Sequence, residues 1–166
     1  MKKLILILLC VPLIGSGQKK INIEEEDFIA TGNGIYFQGE LLNCINCELW
    51  NNDKIQEECT FIDGRRNGLS VWYYDEGGYR KGFYKNGVEY GIFSYYNKDH
   101  ILLRERMFNL DTGQEEYEKY FYPNGQLAMH VFNNPIDGDP DNYQNIECWK
   151  EDGKKIDCKL LGFWAY

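Results

Sequence analysis

Asn-Gly and Asp-Gly pairs cut the chain at short intervals, at Asn33-Gly34, Asp63-Gly64, Asn67-Gly68, Asn86-Gly87, Asn124-Gly125, Asp137-Gly138 and Asp152-Gly153. Both residues of such a pair accept the positive φ angles of a tight hairpin turn at little steric cost, so each pair predicts a reversal of the chain. The segments left between them, such as LSVWYY, GIFSYY and EKYFY, are too short for ordinary helices and are built from β-branched and aromatic residues. The best helix candidate, His100 to Asn109 (HILLRERMFN), would group Ile101, Leu102, Glu105 and Phe108 without a clean apolar stripe, so it too predicts a strand. With 13 Tyr, 9 Phe and 4 Trp suited to pleated, half-buried surfaces, the expected fold class is all-β.

The punctuation repeats. Sliding DGRRNGLSVWYY (Asp63–Tyr74) over KNGVEYGIFSYY (Lys85–Tyr96) by 23 positions lays Gly64 on Gly87, Gly68 on Gly91, Trp72 on Tyr95 and Tyr73 on Tyr96. A further slide of 26 lays Gly87 on Gly113 and carries Tyr95 and Tyr96 onto Phe121 and Tyr122, while Gly91 falls on Tyr117. Tyr36-Phe37 followed by Gly39 reads as an upstream aromatic pair, separated from the next copy by LLNCINCELWNNDK. Periods in the low twenties predict an elongated antiparallel meander of β-hairpin repeats, each hairpin burying its face only against its neighbours.

Around this array the ends differ. Residues 1–17 carry Lys2 and Lys3, an apolar run from Leu4 to Ile14 and the small ending Gly15-Ser16-Gly17, the pattern of a secretory signal peptide cleaved before Gln18. The run falls short of the roughly 20 apolar residues of a membrane span. Cys10 follows Leu9 in mid-run rather than a small residue at its end, which argues against lipidation. The expected organisation is a leader over 18–30 with an acidic stretch from Glu24 to Asp27, a repeat region over 31–134 with a cysteine-bearing insertion at 40–60, and a hairpin and tail over 135–166. The formal charge of −8 becomes −10 without the two leader lysines, and no basic run exists to bind nucleic acid.

An exported chain can oxidise its thiols. Cys148 and Cys158 flank the Asp152-Gly153 turn and are placed to bridge across paired strands. Cys44, Cys47 and Cys59 admit a structural disulfide first, with metal or redox chemistry and a free or intermolecular thiol as alternatives. No full zinc ligand set lies nearby, and the strand-to-helix setting of a redox motif is missing.

Candidate chemistry is sparse. The only imidazoles are His100, in a turn slot, and His130, in a strand, and no paired acids mark a catalytic cleft. Asp137, Asp139 and Asp141 alternate as at the start of a calcium loop, but Asn142 stands where that loop needs glycine and Cys148 where it needs a bidentate acid. No metal or cofactor is therefore expected. The remaining candidate is a binding surface formed by Trp72, Tyr73, Tyr95, Tyr96, Phe121 and Tyr122, set against the alternative that these rings pack along the sheet as cross-strand pairs. The glycines Gly64, Gly68, Gly87, Gly91, Gly113 and Gly125 read as repeat landmarks.

FIDGRRNGLSVWYYDEGG, FYKNGVEYGIFSYYNK and YFYPNGQLAMHVF, spanning Phe61 to Phe132, resemble the bacterial MORN-repeat-variant proteins, the YwqK-family antitoxin-like group. Tyr117 in a glycine slot, Asp99-His100 in a turn slot and the insertion after Gly39 depart from that pattern. The resemblance implies a MORN-like meandering sheet used for binding, without shared catalytic residues. The expected function is an exported, non-catalytic module that binds another protein or acts as a scaffold. An immunity or antitoxin protein that neutralises a toxin by direct binding is the alternative, with an envelope hydrolase behind it. A glycan is the other ligand class such a surface suits. The expected location is the periplasm, cell envelope or exterior.

Overall fold

The computed structural model describes residues 19–24, 27–51, 53–132 and 146–160. The expected signal peptide, the Asp137–Asp141 tract with its Asp137-Gly138 turn, part of the acidic leader stretch and the tail from residue 161 lie outside the described residues.

The long sheet begins with β5 (Cys44–Asn51), β6 (Lys54–Ile62), β7 (Arg65–Tyr73), β8 (Tyr79–Lys85) and β9 (Val88–Tyr96). It continues through β10 (Leu102–Phe108), β11 (Glu115–Phe121), β12 (Leu127–Phe132), β13 (Ile146–Trp149) and β14 (Lys155–Ile156). Each strand pairs antiparallel with the next in sequence, the meander the turn signals predict, and β1 (Lys20–Asn22) adds a parallel edge against β5. A second sheet holds β2 (Phe28–Thr31), β3 (Gly34–Phe37) and β4 (Glu40–Leu41). No α-helix occurs among the described residues.

Hairpin repeats follow from the glycines. Asp63 and Gly64 have φ of 49° and 71°, and Asn86 and Gly87 have φ of 53° and 84°, so both turns have the paired positive φ that matches strand twist. Gly113 and Gly125 mark the turns before β11 and β12, also at positive φ. Asn67-Gly68 is not a turn. Gly68 (φ 85°) lies inside β7, as its repeat mate Gly91 (φ 70°) lies inside β9, because an irregular strand accepts a positive-φ residue as readily as a reversal does. Asn33-Gly34 also shifts, with Gly34 opening β3.

Two stretches read as peripheral belong to the fold. The expected leader over 18–30 carries β1 and most of β2, and the expected insertion over 40–60 carries β4, β5 and most of β6. Their buried side chains supply the reason: Ile21, Leu42, Cys44, Cys47, Leu49, Cys59 and Phe61 form the larger core, with Phe28, Ile35 and Phe37 of the small sheet packed on it. The Ile35 amide donates to the Gly64 carbonyl at 2.8 Å, and the Gly64 amide to the Leu42 carbonyl at 2.9 Å, fixing the small sheet to the β6–β7 turn. A second core joins Tyr84, Phe93 and Phe108 edge to face, at 5.3 Å and 5.4 Å between ring centres.

Cys148 is bonded to Cys158, which opens the short 3-10 turn Cys158–Leu160. Cys44 is bonded to Cys47, leaving Cys59 reduced and buried directly opposite Cys47 in the β5–β6 register. Burial, with Glu57 beside it, pushes the Cys59 thiol far above its ordinary range, so it stays protonated and unreactive.

Candidate functional site

Strand alternation gives the long sheet two faces, and they differ in chemistry. On one, the cross-strand register lines up Glu57, Trp72, Arg80, Tyr95, Arg104 and Tyr120 across β6 to β11. Guanidinium groups and rings alternate. Arg80 lies 4.9 Å from the Trp72 ring centre, and Arg104 lies 5.0 Å from that of Tyr95 and 5.4 Å from that of Tyr120. Arg66 covers Trp72 from a neighbouring position at 4.5 Å.

Every arginine of this ladder also meets a carboxylate. Arg66 donates twice to Glu57, at 2.6 Å and 2.7 Å, and Ser70 donates to the same buried group at 2.6 Å. Arg104 pairs with Glu118, Arg106 with Glu115 at 2.5 Å, and Arg80 with Glu89 at 3.8 Å. Burial, followed by the charge of Glu118, pushes the Tyr120 hydroxyl up to about 12, and burial with Glu89 likewise raises Tyr84. The ladder face thus packs against itself, its charges spent on one another.

The opposite face stays open. Tyr73, Tyr79 and Tyr96 stand side by side across β7, β8 and β9, and Tyr79 and Tyr96 stack at 4.7 Å with planes 16° apart. Tyr73 is tilted 46° against Tyr79, at 6.4 Å between ring centres. Beside this row runs an apolar one: Leu69, Phe83, Ile92 and Phe132 are 50%, 45%, 45% and 36% exposed, with half-buried Tyr90, Met107 and Tyr117 between them. Between the two lies a mixed row of Glu58, Val71, Lys81, Ser94, Glu105, Lys119, His130 and Glu147.

The six aromatics expected to form one surface are divided. Trp72 and Tyr95 stand in the ladder, and Tyr73 and Tyr96 on the open face. Phe121 pairs with Leu127, and the Tyr122 hydroxyl donates to the Trp149 carbonyl at 2.9 Å, tying the β11–β12 turn to β13. The histidines are apart as well. His100 is an exposed turn residue at φ 61°, 5.7 Å from the Tyr79 ring, whereas His130 is held between Tyr117 and Phe132. Burial and Lys119 lower the His130 pKa, and its Nε2 has no hydrogen-bond partner. Three shallow clefts among the described residues, at Lys20 and Trp50, at Phe37 and Leu42, and at Tyr90 and Leu110, contain neither histidine. Among the described residues no cluster of His, Cys, Asp or Glu could hold a metal ion, and no helix is long and apolar enough to cross a membrane.

The apolar row was missed because the sequence reading followed aromatic pairs. Period-two spacing of Leu69, Val71 and Tyr73 was the available signal. No protein-family model and no curated protein matches the chain.

Proposed function

We propose that the chain is an exported, non-catalytic protein-binding or scaffold module whose hairpins belong with the MORN-repeat-variant group. The observation that carries this reading is the apolar row on the open face, which runs from β7 to β12 with no second layer over it among the described residues. Apolar rows of this length on a soluble surface mark interaction sites. Self-neutralised arginines on the other face support a structural use of that side. The two disulfides support an oxidising compartment. The equivalent positions of Gly64 and Gly87, and of Gly68 and Gly91, support the family reading. An immunity or antitoxin role is the case in which the bound protein is a toxin.

Affinity capture from the native envelope, run in parallel with the purified chain and with a Phe83→Ser/Ile92→Ser variant, tests the proposal. The expected result is a partner retained by the first and lost by the second, with both folded by circular dichroism. Equal retention by both would remove the open face from the interaction.

A further inference from the structure

The mixed row on the open face has a charge order that matters for what covers it. Reading from β6 to β12, it runs Glu58, Val71, Lys81, Ser94, Glu105, Lys119, His130. Lys81 and Glu105 stand on β8 and β10, one strand to either side of Ser94 on β9. The two form no ion pair within the chain, where the Lys81 ammonium instead lies 5.2 Å from the Tyr96 ring centre. A two-fold axis running along β9 exchanges these positions between two copies.

We infer that the open face is covered by a second copy of the same chain, packed face to face about an axis along β9, with Lys81 of each copy opposite Glu105 of the other. This deepens the proposed function by naming a partner, and it rests on that reading's assignment of the open face as the interaction side. The same rotation sets Phe83 against Met107, Leu69 against Tyr117, and Val71 against Lys119, so the apolar row meets itself and no like charges collide. An axis between β10 and β11 also matches charges, Glu105 against Lys119, but leaves the exposed Leu69 and Phe83 uncovered. An axis along β8 or β10 places Lys81 or Glu105 against its own copy.

The contact is isologous, as two-fold interfaces are. Twisted sheets stack in near alignment over a few strands, here β7 to β11. Five strands about 4.8 Å apart and about seven residues long cover roughly 500 to 600 Å² per copy, below the ~800 Å² of a standard interface, which predicts a weak dimer. A foreign partner seated on the same row has to displace the second copy.

Sedimentation equilibrium of the purified chain from micromolar to millimolar concentration tests the inference with three variants. The expected result is a reversible dimer whose dissociation constant rises at least about tenfold in Lys81→Glu and in Glu105→Lys, each of which sets like charges face to face. The double variant Lys81→Glu/Glu105→Lys restores the pairing in reverse and should return close to the original value. That rescue separates the contact from any loss of folding in a single variant. A monomer at every concentration, a dimer indifferent to both single changes, or a double variant no tighter than either single overturns the inference. If the chain is monomeric yet captures a foreign partner through Phe83 and Ile92, the second copy is excluded while the binding-module reading stands.

Discussion

Gly87 and Gly82 are both glycine, for unrelated reasons. Gly87 has φ 84°, and a Cβ there would meet only Arg65 carbons at 3.7 Å and beyond, so its constraint is backbone conformation. Gly87→Val should cost about 1 to 3 kcal/mol by strain. At Gly82 the backbone is ordinary, but a Cβ would overlap the ring of the fully buried Phe93. Gly82→Ala should cost a similar ~1 to 3 kcal/mol by overpacking. Urea denaturation separates the two, because trimming the ring with Phe93→Leu should recover part of the loss in Gly82→Ala and none in Gly87→Val. A double variant whose loss equals the sum of the Gly82→Ala and Phe93→Leu losses would refute the packing account. The buried Glu57 carboxylate, held by Arg66 and Ser70, gives a larger effect. Arg66→Met strands that charge and uncovers Trp72, so a loss of roughly 3 to 5 kcal/mol is expected. A loss under about 1 kcal/mol would show the ladder to be incidental to stability.

At the scale of strands, the β11–β12 pair carries a pH dependence. His130 has its pKa lowered from the ordinary 6.5 by burial and then by Lys119, with Glu147 opposing. The folded state therefore binds its proton less readily than the unfolded chain does. The stability tied to neutral His130 is complete above the unfolded value and is lost as the pH falls below it toward the lower folded value. The melting temperature should decline between about pH 7 and pH 5, and His130→Phe should flatten that decline. An unchanged slope would assign it to other groups. Most strands of this kind were legible beforehand, because Asp63-Gly64 and Asn86-Gly87 impose reversals that purely local sterics decide. The turn from Asp75 to Gly78 carries its positive φ at Gly77 and Gly78, without an adjacent Asn-Gly or Asp-Gly pair to announce it. Less was visible where pairing is remote: β1 is defined by Lys20 to Asn22 meeting Glu48 to Trp50, a parallel match that no local pattern encodes. The division of Trp72 from Tyr73 followed from alternation, but the ladder did not, since its arginines come from three different strands. Arg104 and Arg106 were two residues apart on one strand, and their period-two spacing against Tyr95 and Glu118 became meaningful only with the register known.

The molecule as a whole is held by nearest-neighbour contacts, since each strand of the long sheet pairs only with the strands beside it. Its two cores lie at β5–β6 with the small sheet, and at β8–β10, so the end at β13 and β14 has neither. Pairing there is limited to Cys148 with Ile156 and Trp149 with Lys155, while Cys148 itself is buried. The bond from Cys148 to Cys158 closes a short loop, worth about 2 to 3 kcal/mol by loop entropy. That end is otherwise fastened by Tyr122 on the Trp149 carbonyl, Asn124 on the Glu151 carbonyl, the Lys155–Glu147 ion pair and the pairing of β13 with β12. A Cys148→Ser/Cys158→Ser variant should therefore open locally: amide exchange in β13 and β14 should accelerate by roughly thirty- to a hundredfold, while β5 to β9 remain protected to nearly the original degree. Hydrogen exchange read by mass spectrometry resolves the two regions. Were β5 to β9 to lose protection in step with β14, the sheet would be unfolding as one cooperative unit, and the nearest-neighbour description of its stability would fail.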